Sequence, residues 1–228
     1  MSLFDIEADA ARAMEALKAG GIVILPNTVG YAALGSTADA LMTIFNTKRR
    51  APHKLNAMVG NHAIQAEIHK LSTRAQEIVT AITVDYDLPL GCIAPARLDH
   101  PMLLGRLGED MMARSSLDGT LVMLLNAGPC HKALTALSQQ TGVPILGSSA
   151  NITMAGTNFS VEDIQQEIID IADVVIDHGL QKFHGQGRSS TLLNVETLAV
   201  TRFGACYADI AYILKRHFGE DLPPFPAN

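Results

Sequence analysis

The spacing of hydrophobic positions predicts a chain of alternating helices and strands. Residues 5–19 carry apolar side chains at helical spacing, and the run 22–25 reads as a buried strand that ends at Pro26. Further helices are expected over 38–45, over 61–83 as two helices broken near Ser72, and over 130–140, 160–171 and 209–218. Further strands are expected at 55–59, 90–94, 121–125, 144–147, 174–176, 191–195 and 198–202. This alternation is typical of the α/β class.

The segment 121–147 reads as a strand, a helix and a second strand. Such units usually lie parallel in a sheet with helices on its faces, and ligands then bind at loops beyond the strand ends. Ser160-x-x-Asp163 resembles a capping box and predicts the start of the helix over 160–171. No Pro/Gly/Ser-rich or charge-rich stretch divides the 228 residues. We therefore expect one domain over residues 1–219 and an extended tail over 220–228.

Composition and the N-terminal segment predict where in the cell the protein is found. The chain is 48% hydrophobic, enough for a large core, yet its apolar runs fall short of the roughly 18 to 20 residues that a membrane span needs. The acidic N-terminal segment lacks the features of a secretory signal, so we expect a cytoplasmic protein without membrane contact. Three cysteines without CxxC spacing, Cys92, Cys130 and Cys206, indicate reduced core thiols rather than disulfides or a zinc site.

A basic cluster, Lys48-Arg49-Arg50 with Lys54, stands out in a chain of net charge -6. Because the overall charge does not attract nucleic acid, any such binding must come from a local patch of this kind. The cations can converge on one triphosphate or on an RNA backbone. They can equally be the solvated end of a helix, where positive charge complements the helix dipole. The absence of Trp argues against a platform for stacking single-stranded bases.

Two further segments place small polar side chains next to strands. Ser148, Ser149 and Asn151 follow a predicted strand, where hydroxyl and amide groups could hold phosphate or ribose oxygens. Ser190 precedes another strand, and Arg202 follows the next. An ordinary Ser/Asn-rich turn and a hairpin-like turn with a surface arginine remain the alternatives. No P-loop, GxGxxG, GxSxG or HExxH pattern occurs, and we expect no protein-bound metal site.

Five short motifs occur in order between about residues 10 and 206. They are Gly21-Ile-Val-Ile-Leu-Pro26 with Tyr31 downstream, Lys48-x-Arg50 with Lys54, Ser148-Ser149-Ala150-Asn151, Ser190-Thr191, and Arg202-x-Gly204-Ala205. This ordered set resembles the YrdC-like family, whose active members are threonylcarbamoyl-AMP synthases. The resemblance implies an α/β twist, in which helices surround a twisted, mixed, mostly parallel sheet with a concave basic cavity.

The resemblance also implies a reaction. Family enzymes combine ATP, bicarbonate and L-threonine into threonylcarbamoyl-AMP and pyrophosphate, and partner proteins pass the activated group to tRNA. By this resemblance Lys48 and Arg50 are expected to be catalytic. The expected nucleotide-binding residues are Lys48, Arg50, Ser148, Ser149, Asn151 and Arg202. The expected substrate-binding residues are Thr28, Tyr31, Lys54 and Ser190. Mg²⁺ would share the neutralisation of phosphate charge.

The chain departs from the family pattern at three places. The family stretch Pro-Gly-Pro-x-Thr appears here only as Leu88-Pro89-Leu90-Gly91-Cys92. The family loop Pro-Thr-Asp/Glu-Thr-x-Tyr-Gly reads Pro26-Asn27-Thr28-Val29-Gly30-Tyr31-Ala32 here. Met123 stands where a substrate-binding arginine is expected, and a methionine cannot pair with a carboxylate unless Arg97 or Arg114 compensates. Two alternatives follow. One is an adenylating enzyme with a different acyl substrate, and the other is a non-catalytic module that binds nucleotide or double-stranded RNA.

Overall fold

The computed structural model describes residues 3–49 and 56–226. In these ranges the helices are α1 (Ile6–Lys18), α2 (Ala38–Thr47), α3 (His62–Ile68), α4 (Thr73–Thr80), α5 (Pro101–Ser115), α6 (Pro129–Thr141), α7 (Gln166–Ile169) and α8 (Tyr207–Ile213). The strands are β1 (Val23–Asn27), β2 (Gly30–Gly35), β3 (Ala57–Val59), β4 (Leu90–Pro95), β5 (Ser116–Leu117), β6 (Thr120–Leu125), β7 (Leu146–Ser149), β8 (Val174–Val175), β9 (Leu192–Asn194) and β10 (Val200–Arg202). Turns of π-helix, Ala81–Asp85 and Leu214–Phe218, extend α4 and α8.

The ten strands form one mixed sheet in the order β10-β9-β4-β6-β3-β7-β2-β1-β8, and β5 pairs with β6. The expected α/β class with a mixed sheet and surrounding helices is confirmed. Of the pairings between described strands, six are antiparallel and three are parallel. Antiparallel pairings therefore outnumber the parallel ones, which were expected to be the majority. The unit β6-α6-β7 explains part of the difference. Because β3 lies between β6 and β7, parallel to one and antiparallel to the other, these two strands run in opposite directions.

A tight hairpin joins β1 to β2, where the sequence predicted a strand end and a loop. The first strand continues through Pro26 to Asn27, which pairs with Gly30. Both strands are buried along their whole length. Gly30 has φ +108°, and a side chain there would collide with Thr157 and Asn158. Glycine therefore permits both the turn and the close approach of the loop after β7.

The second helix carries its C-terminal end to the loop that follows β7. Thr37 caps its first turn, since the Thr37 hydroxyl oxygen accepts from the amide of Ala40 (3.3 Å). Leu41 and Ile44, three residues apart, are fully buried against the sheet. The helix then ends at Lys48. Packing of its apolar face thus fixes where the basic cluster begins.

Two helix predictions differ from the structure. The helix predicted over 160–171 was wrong in length, because only the four residues of α7 are helical. The Ser160 hydroxyl donates to the Asp163 carboxylate (2.9 Å) instead of capping a helix. The fifteen-residue α5 was not predicted, and its backbone is non-helical at Gly108. Local capping patterns are therefore weak guides where tertiary contacts compete for the same groups.

Apolar clusters cover both faces of the sheet, and the three cysteines lie in them as predicted. Burial raises the pKa of Cys92 and Cys130 to about 12 and that of Cys206 to about 11. The thiols are therefore protonated near neutral pH. Within the described ranges, no helix is both long and apolar enough to cross a lipid bilayer.

Candidate functional site

Lys48 lies buried beneath the loop that follows β7. Its side chain is 3% exposed. The ammonium donates to the main-chain oxygens of Ser149 and Asn151, and the Asn151 amide oxygen lies 3.3 Å from it. A buried charge is costly unless polar groups surround it, and these three oxygens supply such an environment. We refer to Lys48, Ser149 and Asn151 as the lysine group.

Further hydrogen bonds hold the loop of the lysine group in one conformation. The amide of Ala150 donates to the main-chain oxygen of Tyr31 (2.7 Å), which ties the loop to β2. Asn158 donates to the main-chain oxygen of Ala150 (2.8 Å), and the Gln165 side-chain oxygen accepts from the amide of Ile152 (3.0 Å). Asn158 and Gln165 had no recognisable sequence signal, because their partners lie eight and thirteen residues away, outside any local spacing pattern. The small polar segment is therefore preorganised rather than an ordinary solvated turn.

Three buried polar atoms next to this loop have no hydrogen-bond partner among the described residues: Asn27 Oδ1, Thr28 Oγ1 and Ser148 Oγ. They come from the ends of β1 and β7. These ends lie at the same edge of the sheet, because both strands pair antiparallel with β2 and Leu25 and Ser149 both pair with Ala32. Buried polar atoms are normally satisfied, so each of these atoms is a candidate for contact with water or a polar ligand. By the register, Asn27 and Ser148 face opposite sides of the sheet.

Arg202 and Ser190 form a second group at β9 and β10. The guanidinium donates through Nε to the main-chain oxygen of Ser190 (2.8 Å) and through Nη2 to its hydroxyl oxygen (3.0 Å). A weaker contact reaches the Ser189 hydroxyl (3.4 Å). Gly204 permits this approach, since a side chain there would collide with the backbone of Ser189 and Ser190. We refer to Ser189, Ser190 and Arg202 as the arginine group.

The two groups lie on different parts of the sheet. Strands β3, β6 and β4 separate β7, which carries the lysine group, from β9, which follows Ser190. The structure thus brings Lys48 to Ser149 and Asn151, and Arg202 to Ser190. Arg50 and Lys54 lie outside the described residues. Arg49, their neighbour, is exposed and forms a salt bridge with Glu167 (2.9 Å).

Tyr31 and Met123 are both buried. Tyr31 is 1% exposed; its hydroxyl donates to the main-chain oxygen of Gly179 (2.9 Å) and accepts from the amide of His178 (3.1 Å). Burial raises the pKa of Tyr31 to about 12, so the hydroxyl keeps its proton. These contacts hold the 177–181 segment, and a contact with substrate stays a prediction.

Met123 belongs to the core rather than to a binding surface. Its side chain is fully buried and lies against Gly60, in the same cluster as Ile64. Burial alternates along β6, so Val122 and Leu124 face the opposite side of the sheet. Arg97, named as a possible substitute for the missing arginine, donates to the main-chain oxygens of Glu67 and His69 (2.9 Å each) at the end of α3. Met123 is thus a core residue, and the loss of a substrate-binding arginine at this position stays a prediction.

In the described part of the chain, no cluster of three or more His, Cys, Asp or Glu side chains could hold a metal ion. Two deeply buried histidines have no charged partner among the described residues. Burial lowers the pKa of His69 and of His131 to about 4, and each ring bonds a main-chain oxygen, of Leu121 (3.1 Å) and Leu124 (3.0 Å) respectively. These two rings are neutral structural groups near pH 7.

The fold and the lysine group define an α/β twist protein with a polar loop held over a buried cation. The family model Sua5/YciO/YrdC, described as "Telomere recombination", matches residues 15–204. The chain belongs to this family, which confirms the resemblance found in the sequence. No curated protein matches the chain by sequence.

Several solved structures share the fold. A hypothetical protein, smu.1377c from Streptococcus mutans UA159, is 19% identical with a TM-score of 0.74, and each chain covers 92% of the other. E. coli YciO is 19% identical with a TM-score of 0.65 over 87% of this chain and 90% of its own. P. abyssi Sua5 complexed with L-threonine is 18% identical with a TM-score of 0.66 over 87% of this chain and 54% of its own. The chain thus spans about half of that Sua5, and identities this low show the fold alone.

Proposed function

We propose that this chain binds ATP and catalyses the formation of L-threonylcarbamoyl-AMP. The observation that carries the proposal is the buried ammonium of Lys48 beneath the Ser149–Asn151 loop. Family membership and the L-threonine complex of the Sua5 structure support the choice of reaction. The product would then pass to partner proteins that modify tRNA in the cytoplasm.

The lysine group supplies a positive charge and a set of polar atoms at short range. Lys48 places its charge next to a loop of small residues, whose backbone lets phosphate oxygens approach closely. The hydroxyls of Ser148 and Thr28 have no partner among the described residues and would bind nucleotide or substrate oxygens. In a water-poor environment such preorganised groups stabilise developing charge strongly. Arg50 and Lys54 would add positive charge from the segment that follows α2.

The proposed reaction has two steps. The amine of threonine first attacks bicarbonate, so that an N–C bond forms, water leaves, and a carbamate results. A carbamate oxygen then attacks the α-phosphorus of ATP, and the bond to the bridging oxygen of the β-phosphate breaks to release pyrophosphate. Mg²⁺ bound to the phosphates would offset their charge, because phosphoryl transfer depends on such neutralisation. The protein's part is to hold the reactants in line and to stabilise charge.

The arginine group would bind at the other side of the reactants. Arg202 is exposed, and Ser190 holds its guanidinium in a fixed direction. A planar guanidinium suits phosphate and carboxylate oxygens. We assign Arg202 to phosphate and Ser190 to the amino acid. The proposal requires that the nucleotide and the amino acid together reach from the lysine group to the arginine group.

A double-stranded RNA module is the rival proposal for the same basic cluster. RNA binding of this kind depends on exposed cations that can reach the backbone. Lys48 is instead buried, and Arg49 is paired with Glu167. The described part of the cluster thus favours a small ligand held over the β7 loop.

Pyrophosphate release tests the proposal directly. Wild-type protein is incubated with ATP, Mg²⁺ and bicarbonate, with and without L-threonine and each other amino acid. We expect release that requires bicarbonate and threonine together. Lys48→Ala should lower the rate by about a hundredfold, the scale seen when one preorganised charge-stabilising group is removed. Lys70→Ala is the matched control, because Lys70 is an exposed lysine elsewhere on the surface.

Three other outcomes would each replace the proposal. Release with a different amino acid would indicate an adenylating enzyme with another acyl substrate. ATP binding without release under any condition would indicate a non-catalytic nucleotide module. If ATP does not bind but structured RNA does, with an affinity that falls steeply as salt rises, the RNA module is the correct function.

A further inference from the structure

The segment 219–226, here called the C-terminal segment, follows the last π-helical turn and is attached at two separate places. At its start, Arg74 bonds the Glu220 carboxylate (2.6 Å) and the main-chain oxygen of Phe218 (3.0 Å). Further along, the hydroxyl of Tyr207 donates to the main-chain oxygen of Pro223. The sequence predicted an extended tail, and the structure shows this segment packed against α8.

Phe225 ends this path in a cluster of three aromatic rings. Its ring centre lies 5.6 Å from that of Phe203 and 5.7 Å from that of Tyr207, both in edge-to-face geometry. Phe203 and Tyr207 also contact each other (4.8 Å). Edge-to-face pairs at these separations are favourable beyond the area that they bury. Phe225 is nevertheless 42% exposed, so its position depends on these few contacts.

Arg188, the residue before the arginine group in sequence, contacts this aromatic cluster. The guanidinium carbon of Arg188 lies 4.7 Å from the centre of the Phe225 ring, within the range of a cation–π interaction. Arg188 directly precedes Ser189, and Phe203 directly follows Arg202. Phe225 therefore contacts chain neighbours on both sides of the arginine group.

We propose that Phe225 is a positioning residue for the proposed nucleotide site. It holds Arg188 and Phe203, and through them it restrains the backbone that aligns Ser190 with Arg202. Because binding costs less when the binding groups are already ordered, this restraint strengthens ligand binding without a contact between Phe225 and ligand. The ligand part of this inference rests on the proposed function, whereas the restraint itself does not.

Calorimetric titration with ATP measures the effect on binding. Phe225→Ala should weaken the affinity by about tenfold, since it removes two ring pairs and a cation–π contact. Phe225→Tyr should restore it, because the ring is kept. Tyr86→Ala is the matched control: Tyr86 is 40% exposed and makes one edge-to-face contact with His217 (5.7 Å) away from the arginine group. Equal losses in Phe225→Ala and Tyr86→Ala would overturn the proposal.

A double-mutant cycle separates positioning from general stabilisation. If Phe225 acts through the arginine group, Phe225→Ala should cost no further affinity in a protein that already carries Arg202→Ala. A purely structural role predicts that the two losses add. Additive losses would therefore contradict the proposal.

Hydrogen exchange tests the restraint without any ligand. The amide of Ala205 donates to the main-chain oxygen of Ser189 (2.7 Å), which joins the two halves of the arginine group. In Phe225→Ala this amide should exchange about tenfold faster, while Tyr86→Ala leaves it unchanged, because local opening reports on local contacts. Unchanged exchange in Phe225→Ala overturns the proposal. Faster exchange in Phe225→Ala, together with a wild-type protein that fails to bind ATP, would support the restraint and reject the nucleotide function.

Discussion

The lysine group and the arginine group each join one cation to small polar residues, but their environments differ. Lys48 is buried, and its ammonium is bonded mainly to main-chain oxygens of the loop after β7. Arg202 is exposed and bonded to a serine through two of its nitrogens. Removal of the first should therefore disturb the fold and the ligand together. Removal of the second should affect the ligand far more than the fold.

This difference separates two roles that a basic residue can have in a site. A buried cation organises the backbone around itself and acts on a ligand through its charge and through that backbone. An exposed guanidinium can contact a ligand directly. Of the four predictions below, those on Lys48, Arg202 and Arg49 test this division of roles, and the one on acid tests two buried histidines outside both groups.

The largest effect is expected for Lys48→Met, which keeps most of the side-chain volume and removes the charge. The oxygens of Ser149 and Asn151 lose their charged donor, and charged hydrogen bonds of this kind are worth about 1.5–3 kcal/mol each, so we expect a loss of about 3 kcal/mol in the free energy of unfolding. Urea denaturation monitored by circular dichroism measures it. A change below about 0.5 kcal/mol, the usual range for surface substitutions, would show that Lys48 does not organise the loop.

The next largest effect, counted per residue, is a loss of stability in acid. Burial lowers the folded-state pKa of His69 and His131 from 6.5 to about 4, so the unfolded chain binds their protons first as the pH falls. Stability should therefore decrease from about pH 6.5 to about pH 4, by about 2 kcal/mol per histidine between pH 7 and pH 5. In the lysine group and the arginine group, the described partners of the cations are carbonyl, amide and hydroxyl groups, which do not titrate between about pH 4 and pH 7. His131→Gln should lower the slope by about half; an unchanged slope would assign the acid sensitivity elsewhere.

Arg202→Ala should separate binding from folding. Because Arg202 is exposed, we expect a change below about 1 kcal/mol in unfolding free energy, but about tenfold weaker ATP binding. Arg202→Lys should not restore binding, since a lysine cannot bond both the main-chain oxygen and the hydroxyl of Ser190 in the same fork geometry. Thermal denaturation measures the stability, and calorimetric titration measures the ATP affinity, of the same samples. Full rescue by lysine would mean that only charge matters at this position.

The smallest effect is expected for Arg49→Ala. Arg49 directly follows Lys48 in the basic cluster. Its salt bridge with Glu167 joins two exposed side chains, at 69% and 56% exposure. Such pairs contribute about 0–1 kcal/mol and are screened by salt. Stability and ATP affinity should both stay within about twofold of wild type. A loss as large as that of Lys48→Met would remove the distinction between a buried cation and its exposed neighbour.

The sequence predicted local features well and long-range contacts poorly. Helical spacing identified α1, α2 and α6, and the apolar run identified β1, because these signals lie within a few residues. The hairpin to β2 was missed because Gly30-Tyr31-Ala32-Ala33 has neither polar alternation nor bulky β-branched residues. The direction of β7 relative to β6 depends on β3, which is inserted between them. Pairing between strands that are far apart in sequence produces no local sequence pattern.

The sequence grouped some residues that the structure brings together, and their role in binding stays a prediction. Ordered motifs indicated Lys48 with Ser149 and Asn151, and the structure joins these residues. Burial of Lys48 was not predictable, since a run of three cations suggests an exposed helix end. Contact between Arg188 and Phe225 joins residues that the sequence places far apart and in unrelated motifs. Such contacts are set by tertiary packing.

The most direct test of the account is calorimetric titration of ATP into three proteins: wild type, Lys48→Met and Lys70→Met. We predict that wild type and Lys70→Met bind ATP with equal affinity and that Lys48→Met binds at least about tenfold more weakly, because Lys48, unlike Lys70, supports the loop after β7. Equal binding by all three proteins, or no binding by wild type, would contradict the account.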